Sequence, residues 1–364
     1  MASLYELINA ELEKNKSIAY NRLDEFITDD KRSAEFIMSL SEGLKFSMPD
    51  ESTELYRVAQ SRARHSAIVC LFGQLIISNI TGFNAESKRE ELFDNIWLLA
   101  ALNHDIGYTL KGLTNASIDY KKEFHHYLLQ DQYDMDELQV LNDFSKKYSQ
   151  YFAYTYEEIE SYDQYARDYH SKNPDDVEKV DHGILGGVYL FNQKIGRCIK
   201  DSKPAADYII TKAAAITVAQ HNLYKSPNEK IDKLYPADLK KLHSTSTFRI
   251  SKETPVLLLL SLIDTVDCVK RFSKKNTPGS SLESISVLKG IDVTFDNNSA
   301  VISFQELSNR IAAKEKELAK KGGSGTDIRS ILDNHLRGVM SLNDWTTYKV
   351  ERVGPFEFRL EFEM

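Results

Sequence analysis

Along most of the chain, apolar residues recur every three or four positions, the spacing that lines one face of an α-helix. Segments near 3–16, 20–45, 52–80, 90–103, 122–150, 156–170, 183–200, 205–222 and 254–273 follow it. The intervals hold turn residues, as in "NITGFN" at 79–84, "SKNPDD" at 171–176, "KPAAD" at 203–207 and "NTPGSS" at 276–281. Past Pro278 the period shortens to two. "ISVLKGIDVTFDNNSAVISFQ" predicts strands joined by an Asp-Asn-Asn turn, and "YKVERVGPFEFRLEFEM" alternates as a strand does. Between them stands a charged helix, "ELSNRIAAKEKELAKK", followed by "GGSGTD" and a short helix around 327–340.

The pattern predicts a mainly α protein in three parts: an N-terminal helical extension over 1–54, a helical domain over 55–277 and a small α+β domain over 278–364. Within the helical domain, residues 113–178 are rich in Tyr, Asp and Glu, and are expected to form an insert that covers a site as a lid or a surface layer. No repeat of the kind that builds solenoids is present.

Composition narrows the function. With 46 basic against 54 acidic residues the net charge is −8, which argues against nonspecific nucleic-acid binding but leaves a nucleotide substrate open. Three cysteines, Cys70, Cys198 and Cys268, are too few and too scattered for a disulfide framework or a thiolate zinc site. The longest apolar run, "PVLLLLSLI" at 255–263, is far short of the ~20 residues of a membrane span. The N-terminus is acidic and amphipathic, unlike a secretory or transit peptide, so a cytoplasmic location is expected.

Candidate chemistry lies where ionisable residues interrupt apolar helices. Asp264 directly follows "PVLLLLSLI", and a carboxylate buried there needs pairing, hydrogen bonds or a metal. Arg271 lies about two turns on, ~10 Å along the axis. His104 and Asp105 follow "WLLAALN". His65 shares a helical face with Ile68, Val69 and Phe72, His182 opens a helix that Asp181 could cap, and His221 ends a helix in line with Ile210, Ala214 and Thr217. Four histidines and two aspartates thus form a converging set of N and O ligands, suited to Mn, Fe, Co, Ni, Zn or Mg. The adjacent His125 and His126 cannot both face one site, and His170, His243 and His335 have polar neighbours; these five are expected to be structural or solvent-exposed.

In order and context, His65, His104-Asp105, His182, His221 and Asp264 resemble the metal-binding signature of the HD superfamily of metal-dependent phosphohydrolases. The resemblance runs over residues 55–275 and rests on "HDIGY", "DHG" opening a helix, "AQHN" closing one and "LLSLIDTVD" around the last aspartate. It implies a helical domain with metals at its centre. His65, His104, Asp105 and Asp264 would hold a first divalent ion, and Asp105 would bridge to a second held by His182 and His221.

Departures from the family pattern leave the substrate open. Many phosphodiesterases of the superfamily continue the pair as His-Asp-Ile-Gly-Lys, whereas Tyr108 stands here and Lys111 follows three residues later. The Gly-Tyr-Pro motif of the cyclic dinucleotide phosphodiesterases and the His-Asp-x-Gly-His stretch of the deoxynucleoside triphosphate hydrolases are absent. Arg62, Arg64, Lys111 and Arg271 could meet a phosphate, although Arg271 could equally pair with Asp267. The loop 225–252, with seven Lys or Arg residues, is expected to be solvated.

The expected activity is hydrolysis of a nucleotide or other small phosphate ester by a two-metal-activated water. Asp105 would bridge, Asp267 would move protons, and Lys111 and Arg271 would contact phosphate. Di-iron oxygenases resemble these hydrolases and share the ligand order. A third reading is a non-catalytic, metal-stabilised interaction protein, with a homo-oligomer formed through a strand edge of the C-terminal domain.

Overall fold

A computed structural model describes residues 2–14, 54–80, 87–108, 255–272, 282–320, 328–346 and 349–362. Between 182 and 221 it describes residues 182–183, 186–187, 190, 210–211, 213–215, 217–218 and 221. The helices expected near 20–45, 122–150 and 156–170, the 113–178 insert and the 225–252 loop lie outside the described residues, as do Lys111, His125, His126, His170 and His243.

Helix α1 (Leu4–Lys14) begins with a capping box. The Ser3 N–H donates to the Glu6 carboxylate at 2.9 Å, and the Glu6 N–H donates to the Ser3 hydroxyl at 3.3 Å. Helices α2 (Glu54–Asn79) and α3 (Ser87–Asn103) pack together. Their closest approach puts the buried Trp97 ring against Gly73, where a side chain would collide with it, and the indole N–H donates to the Cys70 carbonyl at 3.1 Å. Helix α4 (Pro255–Val266) contacts both, and its apolar residues are at most 2% exposed. A helix buried on every side belongs to a domain centre. The chain breaks at Asp267 and Cys268 before the single turn α5 (Val269–Phe272). The described residues at 182–190 and 210–218 are helical.

The C-terminal part begins with α6 (Ser284–Leu288), which takes up the "ISVL" that the sequence pattern assigns to a strand. Val287 and Leu288 are adjacent and both fully buried, which a helical turn allows and a strand, with alternating faces, does not. Strands β2 (Asp292–Asp296) and β3 (Ser299–Ser303) form the expected hairpin about Asn297 and Asn298. The terminal alternating run is a hairpin as well, β4 (Lys349–Gly354) and β5 (Glu357–Glu361). Helices α7 (Gln305–Lys320), α8 (Ile328–Met340) and α9 (Leu342–Trp345) lie between the hairpins.

The sheet is antiparallel in the order β1-β2-β3-β5-β4, and its first strand is a surprise. Ala2–Ser3, expected to begin a helix, forms the edge strand β1, with Ala2 opposite Val293. The N-terminal segment therefore ties the two parts together, since α1 also packs on α2 and α6. Cross-strand pairs Val293–Ile302, Ile302–Phe358, Ala300–Leu360 and Val350–Leu360 share one buried face. Helix α8 in turn packs against α4 and α5. Among the described residues no helix is long and apolar enough to cross a membrane.

Candidate metal centre

All six predicted ligand residues come together at one point between α2, α3 and α4, and none is more than 6% exposed. His65 comes from the middle of α2 and Asp264 from the last turn of α4. His104 and Asp105 follow the end of α3, and His221 follows the helical residues 210–218. Gly107 explains why the pair continues as Ile-Gly. A Cβ there would run into the His182 carbonyl, so only glycine lets the two backbones approach. The Tyr108 ring then stacks on His182, with centroids 3.8 Å apart.

The hydrogen bonds fix which imidazole nitrogen faces the centre. Nδ1 of His104 lies 2.8 Å from the Ala101 carbonyl, and Nδ1 of His221 lies 2.6 Å from the Val218 carbonyl. A carbonyl only accepts, so both Nδ1 atoms carry the proton; each histidine closes its own helix by donating to an otherwise orphaned carbonyl. Nδ1 of His65 donates in the same way to Asp267 at 2.6 Å. The three Nε2 atoms therefore present lone pairs that point at one another and at carboxylates, that of His65 also facing the Lys270 ammonium. His65 Nε2 is 3.2 Å from His104 Nε2 and 3.0 Å from Asp264 Oδ1, while the buried His221 Nε2 has no hydrogen-bond partner.

Lone pairs gathered against carboxylates repel unless a cation stands among them. His65, His104 and Asp264 form one triad whose ligand atoms lie within 4.8 Å of one another, and His104, Asp105 and His221 form a second. These buried groups could hold a metal ion. The set is imidazole and carboxylate, the chemistry of borderline and hard divalent cations. Cys268 does not alter it, since burial pushes its thiol well above its ordinary range.

Charges around the cluster are arranged in layers. Behind His65, the Asp267 carboxylate accepts from its Nδ1–H and, through the other oxygen, from the Val269 N–H at 3.0 Å. Metal-binding histidines are oriented by carboxylates in this way. Burial pushes Asp267 up, but the His65 hydrogen bond and charge outweigh it and hold the carboxyl below its ordinary value. Asp105 lies well below the carboxylate range: burial raises it, and His104, His182, His221 and Lys270 together overcome that. Burial drives His104 well below the ordinary imidazole value, and burial with the Lys270 charge lowers His65.

Two cations already hold the carboxylates. Arg62 donates to Asp105 at 2.8 Å with its guanidinium 3.8 Å above the Tyr108 ring. Lys270 reaches Asp264 at 2.6 Å and His65 Nε2 at 2.9 Å. A cavity of about 310 Å³ opens onto the cluster, and Arg62, Lys270 and Arg271 line it with Asp105, Asp264 and His182. Arg271 does not pair with Asp267, whose oxygens are both engaged, and among the described residues its guanidinium has no ion-pair partner.

The sequence pattern does not single out Lys270. Helical spacing from Asp264 points to Arg271, seven residues on, but the break at 267–268 re-aims the next turn and brings Lys270 to the carboxylate instead. His335, expected among polar neighbours, is fully buried. It follows Leu332 by three positions and precedes Val339 by four, so the apolar face of α8 carries it inward. No protein-family model matches the chain, and no curated protein or solved structure matches it.

Proposed function

We propose that the protein is an HD-type metal-dependent phosphohydrolase that cleaves a nucleotide or other phosphate ester with a two-metal-activated water. The observation that carries this reading is a pocket in which three cations, Arg62, Lys270 and Arg271, face the buried His/Asp cluster. Arg62 and Lys270 answer the Asp105 and Asp264 carboxylates, and Arg271 is left over; a neutral C–H substrate has no use for that further charge, whereas a phosphoryl group does.

His65, His104 and Asp264 would hold one ion. A neutral imidazole offers one lone pair, so His104 serves a single ion, and His182 with His221 would complete the second. Asp105 can serve both, because Oδ2 lies 3.6 Å from His65 Nε2 while Oδ1 lies 3.4 Å from His182 Nε2 and 3.7 Å from His221 Nε2. Divalent ions, if held by these residues, would supply a water of lowered pKa and neutralise charge on phosphoryl oxygens. Arg271 is free to take a phosphoryl oxygen, and Arg62 is held ready by Tyr108 and Asp105. Asp267 acts through His65, as a positioning residue.

Asp105→Asn should abolish turnover of bis(4-nitrophenyl) phosphate by manganese-loaded protein and leave the circular dichroism unchanged; retained turnover would sink the assignment. Elemental analysis of anaerobically purified protein should find about two ions per chain, reduced in His182→Ala. Oxygen consumption by iron-loaded protein, with no ester cleavage, would favour the oxygenase.

A further inference from the structure

Glycine is the weakest helix former after proline, and a helix usually keeps one where a neighbour presses too close for a side chain. Gly338 sits in the last turn of α8, and among the described residues it has no such neighbour: a Cβ built on it would meet none of them within 4 Å. It borders the cavity over the His/Asp cluster, which Gly338 and Ser341 line together with Arg62, Lys270 and Arg271. The backbone there is pinned, since the Ser341 hydroxyl donates to the Gly338 carbonyl at 2.7 Å and the Ser341 N–H to the Arg337 carbonyl at 3.0 Å. Helix α8 belongs to the C-terminal α+β part, so two parts of the chain build one pocket.

At about 310 Å³ the cavity is at the lower end of the range for small-molecule sites and larger than a lone phosphoryl group requires. Resting on the reading that this pocket takes a phosphoryl group, we propose that the space over Gly338 holds the organic part of the ester. The C-terminal part thereby sets the size of substrate admitted. The chemical class is a phosphate ester whose organic group is bulkier than methyl, its phosphoryl end toward the cluster and its organic end against α8.

Methylphosphonate and phenylphosphonate separate the two ends of the pocket, because neither can be hydrolysed and they differ only in the group carried on phosphorus. Calorimetric titration of manganese-loaded protein should find both bound by the wild type. Gly338→Leu should leave the methylphosphonate Kd within about twofold and weaken phenylphosphonate by about tenfold or more. Gly338→Ala should melt no lower than wild type, since the added methyl meets open space in a helix. The assignment is overturned if Gly338→Leu spares phenylphosphonate or weakens both ligands equally, or if Gly338→Ala melts lower. Wild type that binds methylphosphonate but not phenylphosphonate keeps the phosphoryl reading and overturns the role of Gly338. Wild type that binds neither removes both.

Discussion

The helical centre and the C-terminal sheet bury their side chains on opposite terms. On the inner face of the sheet, Val293, Ala300, Ile302, Val350, Phe358 and Leu360 are withdrawn from water, and their stabilisation grows with area and needs no particular partner. In the helical centre an apolar core is buried too, but it encloses His65, His104, Asp105, His182, His221 and Asp264, each of which has to be answered by an opposite charge or a hydrogen-bond partner. One region is therefore insensitive to what is dissolved around it, and the other gathers buried groups that could hold a metal ion. The seam between them is α8, packed on α4 and α5.

The largest effect that tests this division is a cavity in the sheet. Phe358→Ala should cost about 3–5 kcal/mol in urea unfolding while leaving the metal content per folded chain unchanged. Loss of bound metal in that variant would show that the two regions are not independent.

The next effect runs the other way. Asp267 answers two donors with two oxygens, and Asn would turn an NH2 toward either His65 or Val269. Asp267→Asn should weaken cobalt binding, followed by visible absorption, by about 10–100-fold, with unfolding of the sheet unaffected. Unaltered cobalt affinity would mean that His65 needs no support from behind.

The remaining effect belongs to the seam. Among the described residues neither ring nitrogen of His335 meets a partner in good hydrogen-bonding geometry, although the Val266 backbone lies close enough to favour its protonated form. Burial, with the Arg271 charge, lowers the imidazole from 6.5 to about 3. The folded chain therefore keeps His335 neutral while the unfolded chain takes up a proton below pH 6.5. Stability is full above that pH and falls by up to about 1.4 kcal/mol per unit as acid is added, until the folded-state pKa is reached. His335→Phe, whose ring can keep the edge-to-face contact with Phe304, should remove that part of the slope between pH 7 and 5. An identical slope in the variant would place water at the imidazole.

Legibility followed the same division. The candidate ligand residues stood out because polar groups at the ends and inner faces of apolar helices are costly, and that cost can be read one residue at a time. The β2–β3 hairpin was legible from its alternation about Asn297 and Asn298. Of the charges that line the pocket, Arg62 and Arg271 were named from the sequence, but how their side chains are placed was not legible, and Lys270 was missed altogether. Lys270 depends on a two-residue break in a helix, Arg62 on a stack with Tyr108, and Gly338 on the docking of a helix from the far end of the chain. None of these follows from local periodicity, because each depends on how separate elements meet. His335 was hidden differently: Asn334 and Arg337 surround it in sequence but point along other faces of α8.

The two-residue strand at the sheet edge also sets a timetable. Ala2 finds its partner in Val293, 291 positions later. Closing so long a loop adds little to the equilibrium cost, since loop entropy grows only with the logarithm of length. The burden falls on kinetics. At about 5–20 residues per second, a ribosome needs roughly 15–60 s to deliver the partner strand after the first residues are made. Through that interval α1 can already pack on α2, but β1 waits, and the edge of the sheet is among the last features of the molecule to form.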